Sequence, residues 1–175
     1  LEGDIILANK ALIKMLGFKS LEELRKRNLS EAGYADPYDR EYFLEILLRD
    51  GEVVNLESRW IKSDGTEIHI RENAKVIREE DGTVSSIDGV VEDITRQKQA
   101  ECALQESKVT FDTLANVSPI GIFKTRPDGY TTYVNVKWTE LSGLSFEAAL
   151  GYNWLAAVHP DDKEKVLSNW QEDVN

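Results

Sequence analysis

The sequence has little of what disulfide-bonded, metal-binding or membrane-spanning proteins need. Its 175 residues include one cysteine, Cys102, which excludes an internal disulfide and a cysteine-built zinc or iron–sulfur site. Apolar runs such as residues 5–8 and 46–48 are far shorter than the roughly 20 residues of a membrane-spanning helix. No signal-peptide pattern opens the chain. We therefore expect a cytoplasmic segment and, because the first residue is Leu1, a part of a longer polypeptide.

The chain also has few histidines and fewer basic than acidic residues. Of the two histidines, neither His69 nor His159 has a second histidine or a cysteine within metal-ligand spacing, which favours surface or capping roles. The net charge of −11 argues against nucleic acid and anionic membranes as partners. Because no Gly-rich phosphate loop, kinase motif or cyclase motif is present, we expect this segment not to be an enzyme.

The order of features at the start of the chain recurs near its end. Residues 3–9 and 129–135 each contain a turn glycine, a short strand pattern and an asparagine. Each is followed by a short helix pattern that closes on glycine, Gly17 or Gly143, where a left-handed cap is expected. Serine N-caps and prolines at helix starts follow in the same order in both places. These residues are Ser20 and Pro37 in the first copy, and Ser145 and Pro160 in the second.

Strand patterns follow the first copy and are missing from the second. The alternating segments are residues 53–62, 67–78 and 84–92. Turns at Asp64-Gly65 and Asp81-Gly82 separate them, which predicts a three-stranded antiparallel meander. One face of the middle strand is apolar, so we expect one buried and one wet side. The apolar positions are Ile68, Ile70, Ala74 and Val76.

A long helix is predicted between the two copies. Residues 95–117 contain no glycine or proline, and their apolar residues recur at mixed spacings of about three to five, typical of a partly exposed helix. Residues 120–125 then read as a strand, and Pro127-Asp128-Gly129 reads as a turn into the strand of the second copy.

Several of these segments resemble the PAS superfamily of sensor domains. Residues 89–101, in which Asp93-Ile94-Thr95 leads into a helix, resemble the closing PAC-type motif of a PAS domain. Residues 62–65 match the family's hairpin, and residues 138–143 and 154–162 resemble helices of PAS domains in bacterial sensor kinases. The resemblance covers nearly the whole chain. It implies an α+β fold with a five-stranded antiparallel sheet and short helices on one face.

The resemblance also implies a domain organisation. Residues 1–95 would be a first PAS domain without its opening strand, residues 96–117 a helical linker, and residues 118–175 the N-terminal part of a second PAS domain. Because the family's opening strand lies in the middle of the sheet, its loss would leave an exposed edge. We expect residues 120–125 to complete the first sheet, within or between chains.

The function implied by the resemblance is sensory. PAS domains bind a small ligand, a cofactor or nothing between sheet and helices, and pass a change in the sheet to the exiting helix. The relay candidates are Asp93, Ile94 and Thr95, because Thr95 can cap the helix and Asp93 can accept hydrogen bonds across the joint. A plain strand end with an N-cap is the alternative. The pocket candidates are Ile6, Ala8, Leu56, Trp60, Ile68, Ile70, Val91, Ile122, Tyr133, Trp138 and Trp154.

The expected partners are an output domain of a sensor histidine kinase, a second copy of the chain through the linker helix, and a small-molecule ligand. No cofactor is evident, and no membrane insertion is expected. The alternatives are a haem- or flavin-binding redox or gas sensor, or a ligand-free dimerisation scaffold of a cyclic-dinucleotide enzyme or chemoreceptor. Residues 38–49 lack the histidine typical of haem-binding members, and Cys102 lies outside the position of a light-sensing cysteine.

Overall fold

The structure, a computed structural model, describes residues 3–174 and the side chains of residues 3–169. The chain divides into two compact units, Leu1–Cys102 and Ala103–Asn175. The first unit contains a three-stranded antiparallel sheet, and the second contains a two-stranded one. The fold is therefore α+β, as predicted, but the described residues form no five-stranded sheet.

Short helices precede the sheet of the first unit, and each begins at a capping side chain. In α1 and α2 the caps are Asn9, which accepts a hydrogen bond from the Leu12 N–H at 2.8 Å, and Ser20, which accepts one from the Glu23 N–H at 3.1 Å. The predicted cap at Ser20 is confirmed. The helices are α1 (Lys10–Met15), α2 (Leu21–Leu24), α3 (Leu29–Ala32) and α4 (Pro37–Asp50).

The predicted meander is confirmed. Its strands are β1 (Glu52–Ile61), β2 (Glu67–Arg78) and β3 (Val84–Asp93), in the order β1-β2-β3. The two hairpin turns contain Gly65 and Gly82, each with a φ of 85°, a left-handed conformation that glycine adopts without steric cost. Each turn also carries an aspartate that accepts the backbone N–H two residues on, at 2.9 Å.

The core of the first unit lies between the helices and one face of this sheet. One cluster of buried side chains joins α1 and α2 to β1 and β2, and a second joins α4 to the same two strands. The opposite face carries charged side chains that pair across strands, such as Arg59 with Glu67 at 3.2 Å. The buried members are Leu16, Leu24, Tyr34, Trp60, Ile68 and Ile70 in the first cluster, and Phe43, Leu47, Val53 and Ala74 in the second.

Helix α5 (Thr95–Val117) has the predicted bounds, and the rest of the second unit follows it. Its two-stranded sheet pairs β4 (Phe123–Thr125) with β5 (Thr131–Val134). Three helices follow: α6 (Val136–Ser142), α7 (Phe146–Ala149) and α8 (Lys163–Val174), with short 3-10 turns at Asn153–Ala157 and Pro160–Asp162. The predicted left-handed cap at Gly143 (φ 72°) and the predicted cap at Ser145 are confirmed.

Two strand predictions were wrong. Residues 5–8 pair with no strand, although Asp4 forms an isolated bridge with Asn28. A strand needs a hydrogen-bonding neighbour, and β4 does not supply it, because Phe123 of β4 pairs with Val134 of β5. A hairpin with a short turn closes at a lower entropic cost than pairing with a sheet far away in sequence. The prediction that residues 120–125 complete the first sheet is therefore wrong within this chain.

Candidate functional site

A cavity of about 630 Å³ lies in the first unit. It is bounded by residues of α1, α4 and all three strands, together with residues 3–7. Leu12, Leu16 and Phe43 give its helix side an apolar surface, while its sheet side includes Glu72 of β2. Its lining mixes apolar side chains with polar and charged ones, and small-molecule sites use such polar groups to orient a ligand.

Glu72 is the buried acid of this cavity, with 4% of its surface exposed. The Tyr34 hydroxyl donates to the Glu72 carboxylate, with oxygen–oxygen distances of 3.1 and 3.3 Å, and the Ser58 hydroxyl donates at 3.3 Å. Burial raises the pKa of Glu72 to about 7, although the two hydroxyl hydrogen bonds and nearby Arg40 oppose that rise. Burial, followed by the charge of Glu72, raises the pKa of Tyr34 as well.

Arg40 is the buried cation of the same cavity, with 7% exposure. The carbon at the centre of its guanidinium group lies 5.8 Å from the ring centre of Tyr34 and 5.3 Å from that of Phe43. Its Nε has no hydrogen-bond partner among the described residues. Within residues 3–169, no carboxylate oxygen lies within 4.0 Å of its nitrogens. Trp60, 5% exposed and also lining the cavity, has an Nε1 without a partner in the same set of residues.

The joint between β3 and α5 lies beside His69, near the start of β2. The Asp93 carboxylate accepts the Thr95 N–H at 2.9 Å, and the Thr95 hydroxyl accepts the His69 N–H at 3.0 Å. Ile94 is 2% exposed, and its N–H donates to the His69 carbonyl at 2.9 Å. Partial burial acts to raise the pKa of Asp93, but the Thr95 hydrogen bonds and nearby Lys62 outweigh it, so this pKa lies below its usual value. The start of α5 is therefore attached to His69 of β2 through the Thr95 hydroxyl and the Ile94 N–H, while Asp93 of β3 holds the Thr95 backbone.

A second attachment of α5 lies on the outer face of the sheet. Lys98 of α5 contacts the Glu57 carboxylate of β1 at 2.6 Å, and Arg71 of β2 contacts the same carboxylate at 2.8 Å. Hydrogen bonds from Lys98 and Arg71 lower the pKa of Glu57. Sequence reasoning missed this network, since nothing local relates Lys98 to Glu57.

The second unit has a cavity of its own, of about 530 Å³. Trp138, Leu141 and Trp154 contribute to its apolar lining, and the Trp154 indole N–H donates to the Gly129 carbonyl at 3.1 Å. Beside it, Asn135 is 1% exposed and forms a hydrogen-bonding centre. Its oxygen accepts the Ile122 and Trp138 N–H groups at 2.8 and 2.9 Å, and its amide donates to the Ala115 and Ile120 carbonyls at 2.6 and 3.0 Å.

The predicted pocket residues of the first unit occupy three different environments. Ile6, Trp60 and Val91 line the cavity, although Ile6 is 61% exposed because residues 5–8 form no strand. The others lie in the core. Ala8, Ile68 and Ile70 belong to the cluster beneath α1 and α2, and Leu56 packs against the cluster beneath α4.

The predicted pocket residues of the second unit also separate. Trp138 and Trp154 line its cavity, whereas Ile122 and Tyr133 do not. Ile122 is held through its backbone by Asn135, and the Tyr133 ring lies 5.2 Å from that of Phe111.

The polar side chains of the first cavity were missed by sequence reasoning. Arg40 and Tyr34 carry no local signal of burial, because both flank a helix start in a polar stretch. Glu72 does carry one. It has the same parity in β2 as Ile70 and Ala74, so the alternation that predicts the buried face also places a carboxylate on it.

Among the residues whose side chains are described, no group of three or more His, Cys, Asp or Glu side chains could hold a metal ion. None of the described helices is both long enough and apolar enough to cross a bilayer.

The family model of the PAS domain matches residues 1–96. The chain belongs to the PAS domain family. The first cavity and the joint at Asp93, Ile94 and Thr95 both lie within the matched PAS residues. Among solved structures, a PAS domain from Colwellia psychrerythraea is 23% identical, with a TM-score of 0.47, and covers 54% of this chain and 80% of that chain.

Three curated proteins are similar to this PAS-containing chain. Protein y4lL of Sinorhizobium fredii is 36% identical over 119 residues, 68% of this chain and 14% of that protein. The peroxide stress-activated histidine kinase mak1 of Schizosaccharomyces pombe is 33% identical over 97 residues, 52% and 6% respectively. Sporulation kinase A of Bacillus subtilis is 27% identical over 179 residues, 97% and 28% respectively. The chain therefore spans less than a third of each relative.

Proposed function

We propose that this chain is a sensory module, regulatory rather than catalytic. In this proposal the cavity of the first PAS unit binds a small ligand, and the joint at Asp93, Ile94 and Thr95 passes the effect to α5. One observation carries the proposal: β2 contributes both Glu72 to the cavity and His69 to the joint. A shift of β2 caused by a ligand therefore changes the hydrogen bonds that hold the start of α5.

The parent protein in this proposal is a cytoplasmic sensor histidine kinase. The similarity to a histidine kinase and to a sporulation kinase supports it, and the output domain would lie elsewhere in the parent. A homodimer through α5 is part of the proposal. Apolar side chains on this helix are largely exposed in the single chain, which favours burial against a second copy. They are Leu104, Val109, Phe111, Leu114 and Val117.

We further propose a tandem organisation, with residues 1–95 and 118–175 as PAS domains and residues 96–117 as the linker. The equivalent caps support it: Asn9 and Asn135 begin α1 and α6, as Ser20 and Ser145 begin α2 and α7. The similarity to sporulation kinase A covers 97% of the chain, including the second unit. A five-stranded first sheet would require further strands along the free edge of β3.

A native mass spectrum recorded together with a visible absorbance spectrum tests ligand binding and dimerisation together. The proposal predicts twice the chain mass of 19.8 kDa, with a small additional mass for each chain. Visible absorbance would instead identify a haem or flavin sensor. A bare monomer that no metabolite extract changes would contradict both the ligand and the dimer.

A further inference from the structure

We infer that the cavity of the first unit takes a small carboxylate with an apolar body, whose charged end pairs with Arg40. This inference rests on the proposed function, since it assumes that the cavity binds a ligand. It adds the chemistry of that ligand.

Arg40 is a buried guanidinium group that has the Glu72 carboxyl nearby but forms no direct ion pair with it. A guanidinium group stays protonated in proteins, and burying it is costly unless a carboxylate or similar anion pairs with it. Arg40 is 7% exposed, and within residues 3–169 no carboxylate oxygen lies within 4.0 Å of its nitrogens. Tyr34 and Phe43 supply cation–π contacts, and the Tyr34 hydroxyl is a hydrogen-bonding neighbour, but neither residue supplies a carboxylate. A ligand carboxylate supplies the direct ion pair that Glu72 does not form and can bind two guanidinium N–H groups at once.

A second unpaired donor lines the same cavity. The indole N–H of Trp60 can only donate, and it has no partner among the described side chains. Together with the Nε of Arg40, the cavity contains two buried N–H groups that lack acceptors. A ligand that satisfies them must present oxygen or nitrogen acceptors, which carboxylates have and protonated amines lack. The two N–H groups without acceptors therefore also favour a carboxylate ligand.

The acidic side chains that line the cavity repel a bound anion, but their positions make this repulsion weak. Asp4 and Asp88 line the cavity but are exposed, so water and salt screen their charges. Glu72 is buried, and Tyr34, Ser58, Arg40 and Asp39 are the groups near its carboxyl. Since the pKa of Glu72 is about 7, an anion beside it favours its protonated form at little cost near neutral pH. Binding therefore takes up a proton, and the affinity falls as the pH rises above 7.

The apolar residues of the lining favour an apolar chain at the other end of the ligand. Leu12, Leu16, Leu29 and Phe43 line the cavity from the helix side. Each methylene that leaves water for such a surface strengthens binding about fourfold. A carboxylate with a short apolar chain therefore binds more tightly than acetate.

The test uses acetate, butyrate and hexanoate, each beside its primary amide, and measures thermal shift and calorimetric affinity on the whole chain. We expect stabilisation that increases from acetate to hexanoate and is weak or missing for the amides. Arg40→Met, which keeps the apolar stem between Tyr34 and Phe43, weakens hexanoate binding about tenfold or more. Arg40→Lys keeps part of the affinity. The matched control is Arg59→Met on the outer face of the sheet, which leaves binding unchanged.

The outcomes distinguish a failure of the carboxylate inference from a failure of the proposal that the cavity binds a ligand. If the amides bind as well as the carboxylates, or if Arg40→Met binds hexanoate like the natural chain, the carboxylate inference is wrong and the ligand proposal stands. If no carboxylate binds and the native mass spectrum is bare, both are wrong. A melting temperature of Arg40→Met well below that of Arg59→Met, without ligand, would also overturn the inference. It would make Arg40 a structural residue.

Discussion

Glu72 is a polar residue at a position where the strand pattern of the sequence predicts burial. Its position in β2 follows from the alternation that identifies Ile68 and Ile70 as core, so its burial could be predicted. Its partners could not, because Tyr34 and Ser58 come from separate elements. Local pattern indicates which face a residue occupies, whereas the chemistry of a site depends on side chains brought together by tertiary packing.

The raised pKa of Glu72 predicts a pH-dependent stability. With a pKa of about 7 in the folded chain and 4.5 in the unfolded one, the protonated carboxyl is favoured by folding. The free energy of unfolding therefore falls as the pH rises from 4.5 to 7, by on the order of 3 kcal/mol. Glu72→Gln keeps an acceptor for both hydroxyls and removes this loss. It should be the more stable protein above pH 7 and equal near pH 4.5.

Hydrogen exchange at the backbone amides of Ile68 and Ile70 measures this difference in the first unit. The matched control is Glu57→Gln, because ion pairs lower the pKa of Glu57, so its substitution lowers stability above pH 7. Equal stability of the natural chain and Glu72→Gln at high pH would show that the Glu72 carboxylate is not destabilised by burial.

Among helices and strands, those that depend on local interactions are predicted accurately, whereas those that depend on contacts distant in sequence are not. The bounds of β2 and α5 agree with the sequence pattern, because alternation, Asp-Gly turns and uninterrupted helical stretches are local signals. Residues 5–8 carry the same kind of signal and form no strand. Their outcome depends on a hydrogen-bonding neighbour, which is a non-local condition. The second unit meets that condition, because β4 pairs with β5.

Asn9 and Asn135, which cap helices at equivalent places in the two units, make this difference measurable. Asn9 is exposed and caps α1 through one hydrogen bond, whereas Asn135 is buried and joins α5, the segment before β4, and α6. Asn9→Ala should cost about 1 kcal/mol in α1. Asn135→Ala should cost about 3 kcal/mol or more in the second unit, because it leaves buried backbone groups without partners. Peptide-level hydrogen exchange in α1 and α6 measures both, and equal costs would contradict the central position of Asn135.

At the scale of the whole molecule, the proposed signal passes from the first unit to the start of α5. The apolar core keeps the sheet in place, and the joint attaches α5 to the strand that also lines the cavity. The sequence pattern predicted this joint at Asp93, Ile94 and Thr95 with Thr95 as the helix cap, whereas in the structure the Thr95 hydroxyl contacts the His69 backbone of β2. The outer attachment through Lys98 and Glu57 is visible only in the folded unit.

The most direct test of this account is the distance between α5 and the sheet, measured by electron paramagnetic resonance. Cys102, the single and exposed cysteine, takes one nitroxide label, and Lys75→Cys on the exposed face of β2 takes the other. We predict one narrow distance distribution for the otherwise natural chain and a broadened or shifted one when Asp93→Asn and Thr95→Ala are combined. Asp81→Asn at the β2–β3 turn serves as the control and leaves it unchanged. A distribution that the joint variants do not alter would contradict the proposed relay.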